Sequence, residues 1–414
     1  MKKNLLIYAH YFYPDVASTG QILTELGEGI QQKFNVTVIC VVPSYSGKIE
    51  DKYKDKRFYY EKYKEINVLR VRVPEFDKKN KLSRIKNILS YFFNAICATF
   101  KVGKQDVVFS ISQPPILGGT LGVIGKLIKR AKFVYNIQDF NPEQTEAVGY
   151  AKNRFILNFA RAVDKFSCRK SNMIVVVGRD MQVTLSNRFK GKRIPKSVVI
   201  NNWIDEAAVY PLAPNHDRIL AFKKKYNLEN KYIVMYSGNL GLYYDLENIV
   251  ETLSEFKGNK DIAFAFVGDG SVKSKLMDTK NRNNLDNVYF IPYQNKEDLI
   301  YSLNAADVHL VINAKGIKGV SVPSKLYGVM ASGKPVLGVL ESGSEARMVI
   351  EDAKCGVCND VGDYEGFKKT IKFMFNNKAE YIEKGLNGRQ YLENKLKREL
   401  SIGKYSKVIS ELVQ

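Results

Sequence analysis

The sequence predicts an α/β protein of two doubly wound, Rossmann-like domains, and three observations lead to that expectation. Near-continuous β-branched runs alternate with amphipathic segments along the whole chain, the pattern of parallel strands covered by helices on both faces. The alternation restarts after an Asn- and Pro-rich stretch, NNWIDEAAVYPLAPNHD (Asn201–Asp217), as expected at a domain boundary. At 414 residues the chain is too long for one core and ample for two. We therefore expect domains over residues 1–205 and 206–385, with 386–414 a helical segment without strands that is a candidate for packing back on the first domain.

In the first half the expected strands are NLLIYA (Asn4–Ala9), VTVICVV (Val36–Val42), VLRVRV (Val68–Val73), DVVFSI (Asp106–Ile111), KFVYNI (Lys132–Ile137) and MIVVV (Met173–Val177). GQILTELGEGIQQKF (Gly20–Phe34) places apolar residues at helical spacing. In the second half the strands are YIVMYSG, IAFAFVGDG, VYFIP, VHLVIN and KPVLGVL. Two such domains facing one another leave a cleft outside the carboxyl ends of their strands, where ligands bind in these sheets.

Composition narrows the class. With 45% hydrophobic and 26% charged residues the chain is globular. The start, MKKNLLIYAHYFYP, has a basic opening, but its apolar run spans only Leu5–Ala9 and no small-residue cleavage site follows, so it reads as a first strand. No apolar run approaches the roughly 20 residues that span a bilayer, and a cytoplasmic protein is expected. Cys40 and Cys97 lie in apolar runs, and Cys355 and Cys358 form a lone C-x-x-C without a partner pair, which favours packed thiols over a metal or redox site. The formal net charge of +21 fits a lysine-rich composition, an anionic membrane surface, an anionic substrate or nucleic acid. No nucleic-acid-binding motif accompanies it, so no nucleic-acid partner is expected.

Four stretches of the second half follow predicted strand ends. SGNLG (Ser237–Gly241) offers Gly238 and Asn239 in a loop whose glycines let backbone approach a ligand. VGDGSVKSKL (Val267–Leu276) offers Gly268, Asp269 and Lys273 in a tight turn before a helix with Ser271 as N-cap, although Asp269 can equally close the turn. In IPYQNKEDL, Tyr293 can lie against a planar base. In KGVSVPSKLYGVMASGKPVLGV (Lys318–Val339), Ser324 is expected to cap a helix from Lys325 to Ser332, with Gly333 as its C′ residue. A lysine on a first turn opposes the helix dipole. It makes sense where an anion sits, and Lys325 with the free N–H groups would cradle a diphosphate; a solvated lysine is the alternative.

On the N-terminal side, HYFYPDVASTGQILTEL (His10–Leu26) follows the first strand. Gly20 can bring its amide to a phosphate, Ser18, Thr19 and Gln21 offer hydrogen-bonding groups to an acceptor, and His10 is either catalytic or a satisfied core histidine. NIQDFNPE (Asn136–Glu143) places Asp139 at a strand's carboxyl end, where catalytic groups collect in such sheets and a carboxylate can orient a hydroxyl or stabilise developing positive charge, or else cap the next helix. The sequence contains no Asp-x-Asp pair, so no metal or other cofactor is expected.

The order YFYPD-x-x-STGQ, NIQDFNPE, VINNWID, YSGNLG, VGDG, VPSK-x-YG-x-MASGKPV and GSEAR resembles the retaining GT-B nucleotide-sugar glycosyltransferases of the family-four group. It is most similar to the subgroup making bacterial O-antigen, capsule and colanic-acid repeat units, including N-acetyl-fucosamine transferases, and it covers essentially the whole chain. The family's usual Glu-x7-Glu pair is replaced by Val320 and Gly328, and the usual Arg and Lys after the first C-domain strand by Asn239 and a tyrosine, Tyr243 or Tyr244. The resemblance then implies diphosphate contacts from Lys325 and its helix terminus, with Arg179 or Lys273 as further candidates, and Glu345 of the GSEAR loop as the candidate replacement for holding ribose. It implies retention by front-face substitution, a nucleoside diphosphate sugar donor (a UDP-linked amino or deoxy sugar), and a polyprenyl-diphosphate-linked saccharide acceptor. A nucleotide-sugar 2-epimerase shares the two-domain pattern, with His10, His216 and His309 as its available acid/base histidines. A basic membrane- or nucleic-acid-binding protein without catalysis is the third reading.

NKLSRIKNILSYFFNAICATFKVGK (Asn80–Lys104) places Leu82, Ile85, Leu89, Phe92, Ile96 and Phe100 on one helical face. Lys78, Lys79, Lys81, Arg84 and Lys86 crowd its start, and Lys101 and Lys104 its end. An interfacial helix on anionic lipid and a domain-packing helix both fit. The first would make the protein peripheral on the inner face of the plasma membrane.

Overall fold

The computed structural model describes residues 2–15, 17–77, 80–149, 153–190 and 193–414. Lys78 and Lys79 of the basic segment lie outside the described residues. The chain divides into two compact units, Met1–Asn201 with Glu399–Gln414, and Asn202–Arg398.

The first unit holds an eight-stranded sheet of β1 (Lys3–Tyr8), β2 (Phe34–Val41), β3 (Phe58–Tyr63), β4 (Ile66–Val71), β5 (Val107–Ile111), β6 (Lys132–Ile137), β7 (Met173–Val176) and β8 (Ser197–Val199), in the order β3-β4-β2-β1-β5-β6-β7-β8. Every pair is parallel except β3 with β4. Strand β3 was not expected from sequence: FYYEKY sits at the sheet edge, half exposed, and so lacks an apolar run. Strand β8 is only three residues long.

The second unit holds six parallel strands, β9 (Tyr232–Ser237), β10 (Ile262–Val267), β11 (Val288–Ile291), β12 (Val308–Ile312), β13 (Val336–Val339) and β14 (Gly356–Asn359), in the order β11-β10-β9-β12-β13-β14. Strand side chains alternate between faces. Tyr232, Val234, Tyr236, Phe264 and Phe266 therefore build one core layer, while Ile233, Met235, Ala263 and Ala265 build the other. Strand order reverses between β1 and β5 in the first unit and between β9 and β12 in the second. Those two switch points are where such sheets receive ligands.

The last stretch is helical over Lys378–Tyr391 and Arg398–Glu411, joined by the π-helical segment Leu392–Leu396. Residues 386–398 stay with the second unit: the Arg389 guanidinium donates to the carbonyls of Val209 (2.8 Å) and Ala331 (2.9 Å). Only from Glu399 does the chain join the first unit, where the Tyr405 ring meets Phe109 edge-on at 5.9 Å.

Candidate active site

At the switch point of the second unit, the loops after β9 and β10 interlock through backbone alone. Gly238 and Gly268 adopt φ of +142° and +141°, and a Cβ on Gly268 would lie 2.0 Å from the Gly238 carbonyl oxygen. Both positions therefore favour glycine for conformation, and Gly268 requires it for closeness as well. Leu240 N–H donates to the Asp269 carbonyl (2.9 Å) and Val272 N–H to the Leu240 carbonyl (3.0 Å). The Asp269 carboxylate accepts from the Gly270 N–H at 2.9 Å, within the turn. Lys273 donates to the Gly268 carbonyl at 3.2 Å and bridges the same loop. The helix there starts at Lys273 after Val272, and Ser271 does not cap it.

Lys325 opens the helix Lys325–Ala331. Its ammonium does not project outward as a first-turn lysine would. The Nζ lies 3.6 Å from the Tyr236 ring centroid and 3.9 Å from that of Tyr244, beside Gly238, and makes no hydrogen bond among the described residues. Burial lowers its pKa well below the ordinary lysine value. The Tyr236 hydroxyl donates to the Asn239 carbonyl at 2.8 Å, so the tyrosine supporting the lysine also holds the loop of Gly238. The expected Ser324 cap is not formed: Ser324 already has helical φ and ψ of −60° and −21° and its side chain accepts no bond from the turn. Pro323 begins the turn instead, with Leu326 N–H donating to its carbonyl. Gly333 closes the helix with φ +64°.

The remaining donor-side candidates are spread around the same strand ends. Tyr293 follows β11 with its ring exposed. Glu345 opens the helix Glu345–Ala353 after β13 and is buried. Gly328 faces Ile204 and Leu303, 3.4 and 3.5 Å from its Cβ position, so a glutamate there would be driven into apolar packing.

In the first unit, His10 follows β1, stacked between Tyr11 (4.3 Å) and Tyr91 (4.8 Å). Burial lowers its pKa to about 4, opposed by a hydrogen bond with Asn87, and its Nε2 has no hydrogen-bond partner among the described residues. The helix Ser18–Ile30 begins at the STGQ motif. Thr19 is committed, its hydroxyl donating to Gln113 Oε1 at 2.8 Å, whereas Ser18 is exposed and Gln21 half-buried. Gly20 sits 3.0 Å, from its Cβ position, to the Tyr11 carbonyl oxygen, in the first turn, where amides lack intrahelical acceptors. Arg179 is exposed at the start of the helix Arg179–Phe189 after β7.

Asp139 is half-buried beyond β6, its N–H donating to Ser112 Oγ at 3.2 Å. It does not cap the next helix, Glu143–Ala147, which Pro142 precedes without a side-chain cap. Sequence reading missed what holds this loop. Buried Arg188 donates to the Asn141 carbonyl (2.8 Å), pairs with Glu143 and Asp164, and lies over the Phe140 ring at 4.5 Å. Tyr135 adds a 2.6 Å bond to Asp164. Arg188 stands inside an unremarkable amphipathic helix, so no local signal marks it.

Comparison with known proteins agrees with this architecture. The profile of the family described as glycosyl transferases group 1 matches residues 218–391. The chain is 31% identical over 293 residues to WbjE of Pseudomonas aeruginosa, which bears the name of a glycosyltransferase, covering 68% of this chain and 70% of WbjE. It is 25% identical over 406 residues to WcaI of Escherichia coli K12, named for glycosyl transfer in colanic acid biosynthesis, covering 94% and 97%. The crystal structure of Anabaena Alr3699/HepE with UDP and glucose superposes with a TM-score of 0.72 over 99% of both chains, at 13% identity a likeness of fold alone. The loops at both switch points thus belong to two Rossmann-like units of the GT-B fold, and the chain is a glycosyltransferase, a member of the glycosyl transferases group 1 family.

Proposed function

We propose that the protein is a retaining, metal-independent transferase that moves a sugar from a nucleoside diphosphate, a UDP-linked amino or deoxy sugar, to a polyprenyl-diphosphate-linked saccharide in bacterial surface polysaccharide synthesis. The observation that carries the reading is the Lys325 amine, enclosed beside Gly238 with no hydrogen-bond acceptor among the described residues. A buried donor without an acceptor is costly, and an incoming diphosphate would both satisfy and recharge it. HepE, of the same fold, binds UDP and glucose, and the names of WcaI and WbjE support the polysaccharide setting.

In this reading the diphosphate lies on the loops of Gly238, Asn239, Gly268 and Asp269, with Lys325 and the amides of Ser324 and Lys325 stabilising the departing charge. Arg179 and Gly20 add donors from the first unit, and Lys273 keeps the Gly268 loop rigid. Tyr293 covers the base and Glu345 holds ribose. The bond from the anomeric carbon to phosphate breaks as the acceptor oxygen attacks from the same face, and the acceptor proton passes to the leaving phosphate oxygen. Asp139 stabilises the positive charge that develops on the sugar. Ser18, Thr19 and Gln21 line the acceptor, and His10 serves as a neutral hydrogen-bonding group, since its pKa of about 4 keeps it uncharged.

A 2-epimerase would need acid/base histidines. His309 is spent on the Leu303 carbonyl (2.9 Å) and His216 on the Arg218 N–H (3.2 Å), which disfavours that reading. The test is a thermal-shift series with UDP, GDP, ADP and CMP. A ligand at 100 times its Kd stabilises by about 2.7 kcal/mol, and UDP should raise the melting temperature most. No shift with any nucleotide would overturn the proposed donor site.

A further inference from the structure

The helix Lys81–Lys101 turns its apolar stripe outward. Leu82 (77% exposed), Ile85, Leu89, Phe93 and Phe100 face solvent, while Tyr91, Ala95 and Ala98 face the unit's core. Beside it packs Leu117–Lys129, and beside that Arg154–Lys170. Both continue the pattern: Leu127 is 69% exposed, and Phe155 (82%), Phe159 and Phe166 stand on the outer side of the third helix. Aromatic and aliphatic groups exposed along three adjoining helices far exceed what a soluble surface carries without a purpose.

On the surfaces of the three helices themselves the charges have one sign. Lys81–Lys101 and Leu117–Lys129 contain no acidic residue. Asp164, the only acidic residue of Arg154–Lys170, is buried against Arg188. Lys81, Arg84 and Lys86 rim the first helix, Lys126 and Lys129 the second, and Arg154, Arg169 and Lys170 the third. Lys86, Ser90 and Asn94 follow at four-residue spacing along the flank of the apolar stripe, and with Lys54, Arg57 and Arg72 and the single acid Glu75, 3.9 Å from the Lys54 ammonium, they line a cavity of about 590 Å³ whose cations outnumber its carboxylate. A second copy docked by the same face would set cations against cations. A bilayer takes the apolar groups into its acyl boundary and offers anionic headgroups to the rim. No helix among the described residues is long and apolar enough to cross a membrane, so this face would lie on the bilayer.

We infer that the outer face of these three helices is an anionic-membrane docking surface, in which Phe155, Phe159 and Leu127 insert together with Leu82, Leu89 and Phe93, and the neighbouring basic cavity seats lipid headgroups. This rests on the first unit alone. It also supplies a partner to the proposed transfer to a lipid-linked acceptor, but its test does not need catalysis. The full chain is floated with vesicles of phosphatidylcholine alone and of phosphatidylcholine with 30% phosphatidylglycerol, at low and at 0.5 M salt. The expected result is flotation with the anionic vesicles only, weakened by salt. Phe155→Ser/Phe159→Ser, on the helix that charge periodicity did not single out, and Leu82→Ser/Leu89→Ser should each lower partitioning about tenfold or more, with unchanged melting temperatures. Arg57→Gln/Arg72→Gln should reduce partitioning to anionic vesicles several-fold. Absence of flotation, or Phe155→Ser/Phe159→Ser protein that floats like wild type, would overturn the proposal. So would light scattering that shows a dimer dissolved by these same substitutions, since a second copy would then be the occupant. UDP stabilisation, measured on the same samples, reports the donor site independently.

Discussion

Replacing Lys325 by methionine should stabilise the free protein while impairing donor binding. Among the described residues, two aromatic faces at 3.6 and 3.9 Å are the only compensation the Nζ receives, and a desolvated cation–π contact contributes about 2 kcal/mol. Removing an ammonium from water costs several kcal/mol per ion. The larger cost wins, which is why burial holds the pKa well below the ordinary lysine value. A neutral amine without an acceptor still carries a penalty of about 1–3 kcal/mol. Methionine matches the length and prefers aromatic neighbours, so Lys325→Met should recover most of that, about 2–10 °C in melting temperature for a unit of this size. Donor binding should move the other way. A hydrogen bond to a charged group contributes about 1.5–3 kcal/mol, so UDP affinity should fall about 10- to 150-fold by calorimetry. A destabilised variant that binds UDP like wild type would refute the reasoning on both counts.

Three further outcomes follow from named contacts. Asp139→Ala should lower turnover about 100-fold or more and leave UDP affinity within twofold; wild-type turnover would remove Asp139 from the reaction. Arg188→Met leaves the Asp164 carboxylate buried without its cation, while Glu143 keeps Arg161 at 3.2 Å; this should cost about 3–5 kcal/mol by urea titration, and a loss under 1 kcal/mol would show that the network does not support the Asp139 loop. His10 titrates near 6.5 when unfolded and at about 4 when folded, so the unfolded chain binds more protons between those values and stability falls as pH drops through that window. Between pH 7 and pH 5 the loss from His10 is about 2 kcal/mol. Denaturant titrations of His10→Phe should show a pH dependence smaller by that amount, and an unchanged dependence would contradict the burial argument.

What the sequence made legible was what repeats or runs. The β-branched runs gave ten strands at or within two residues of their observed places, and the glycines after YIVMYS and IAFAFV marked the interlocked loops of Gly238 and Gly268. Strand β3 escaped because its edge position permits polar residues, and β14 because four half-buried residues carry no pattern. The position of Lys325 was readable but not its direction, since a four-carbon stem can leave a first turn either way and only the tertiary placement of Tyr236 and Tyr244 decides. The same holds for Arg188, whose partners come from the loop of Phe140–Glu143 and from Asp164 of another helix. Amphipathic periodicity located the helix Lys81–Lys101 in kind, whereas Arg154–Lys170 was not singled out. It could not say whether the apolar stripe faces in or out, because burial of small residues such as Ala95 and Ala98 anchors the opposite face.

The sharpest test of the donor site titrates UDP into the full protein near pH 8 in two buffers of different ionisation enthalpy. If the diphosphate restores the charge of an amine whose pKa burial has lowered, binding takes up protons in wild type, and affinity declines as pH rises toward the ordinary lysine value. Uptake should vanish in Lys325→Met. Heats that do not depend on buffer in the wild type, or uptake that persists without the lysine, would contradict the assignment.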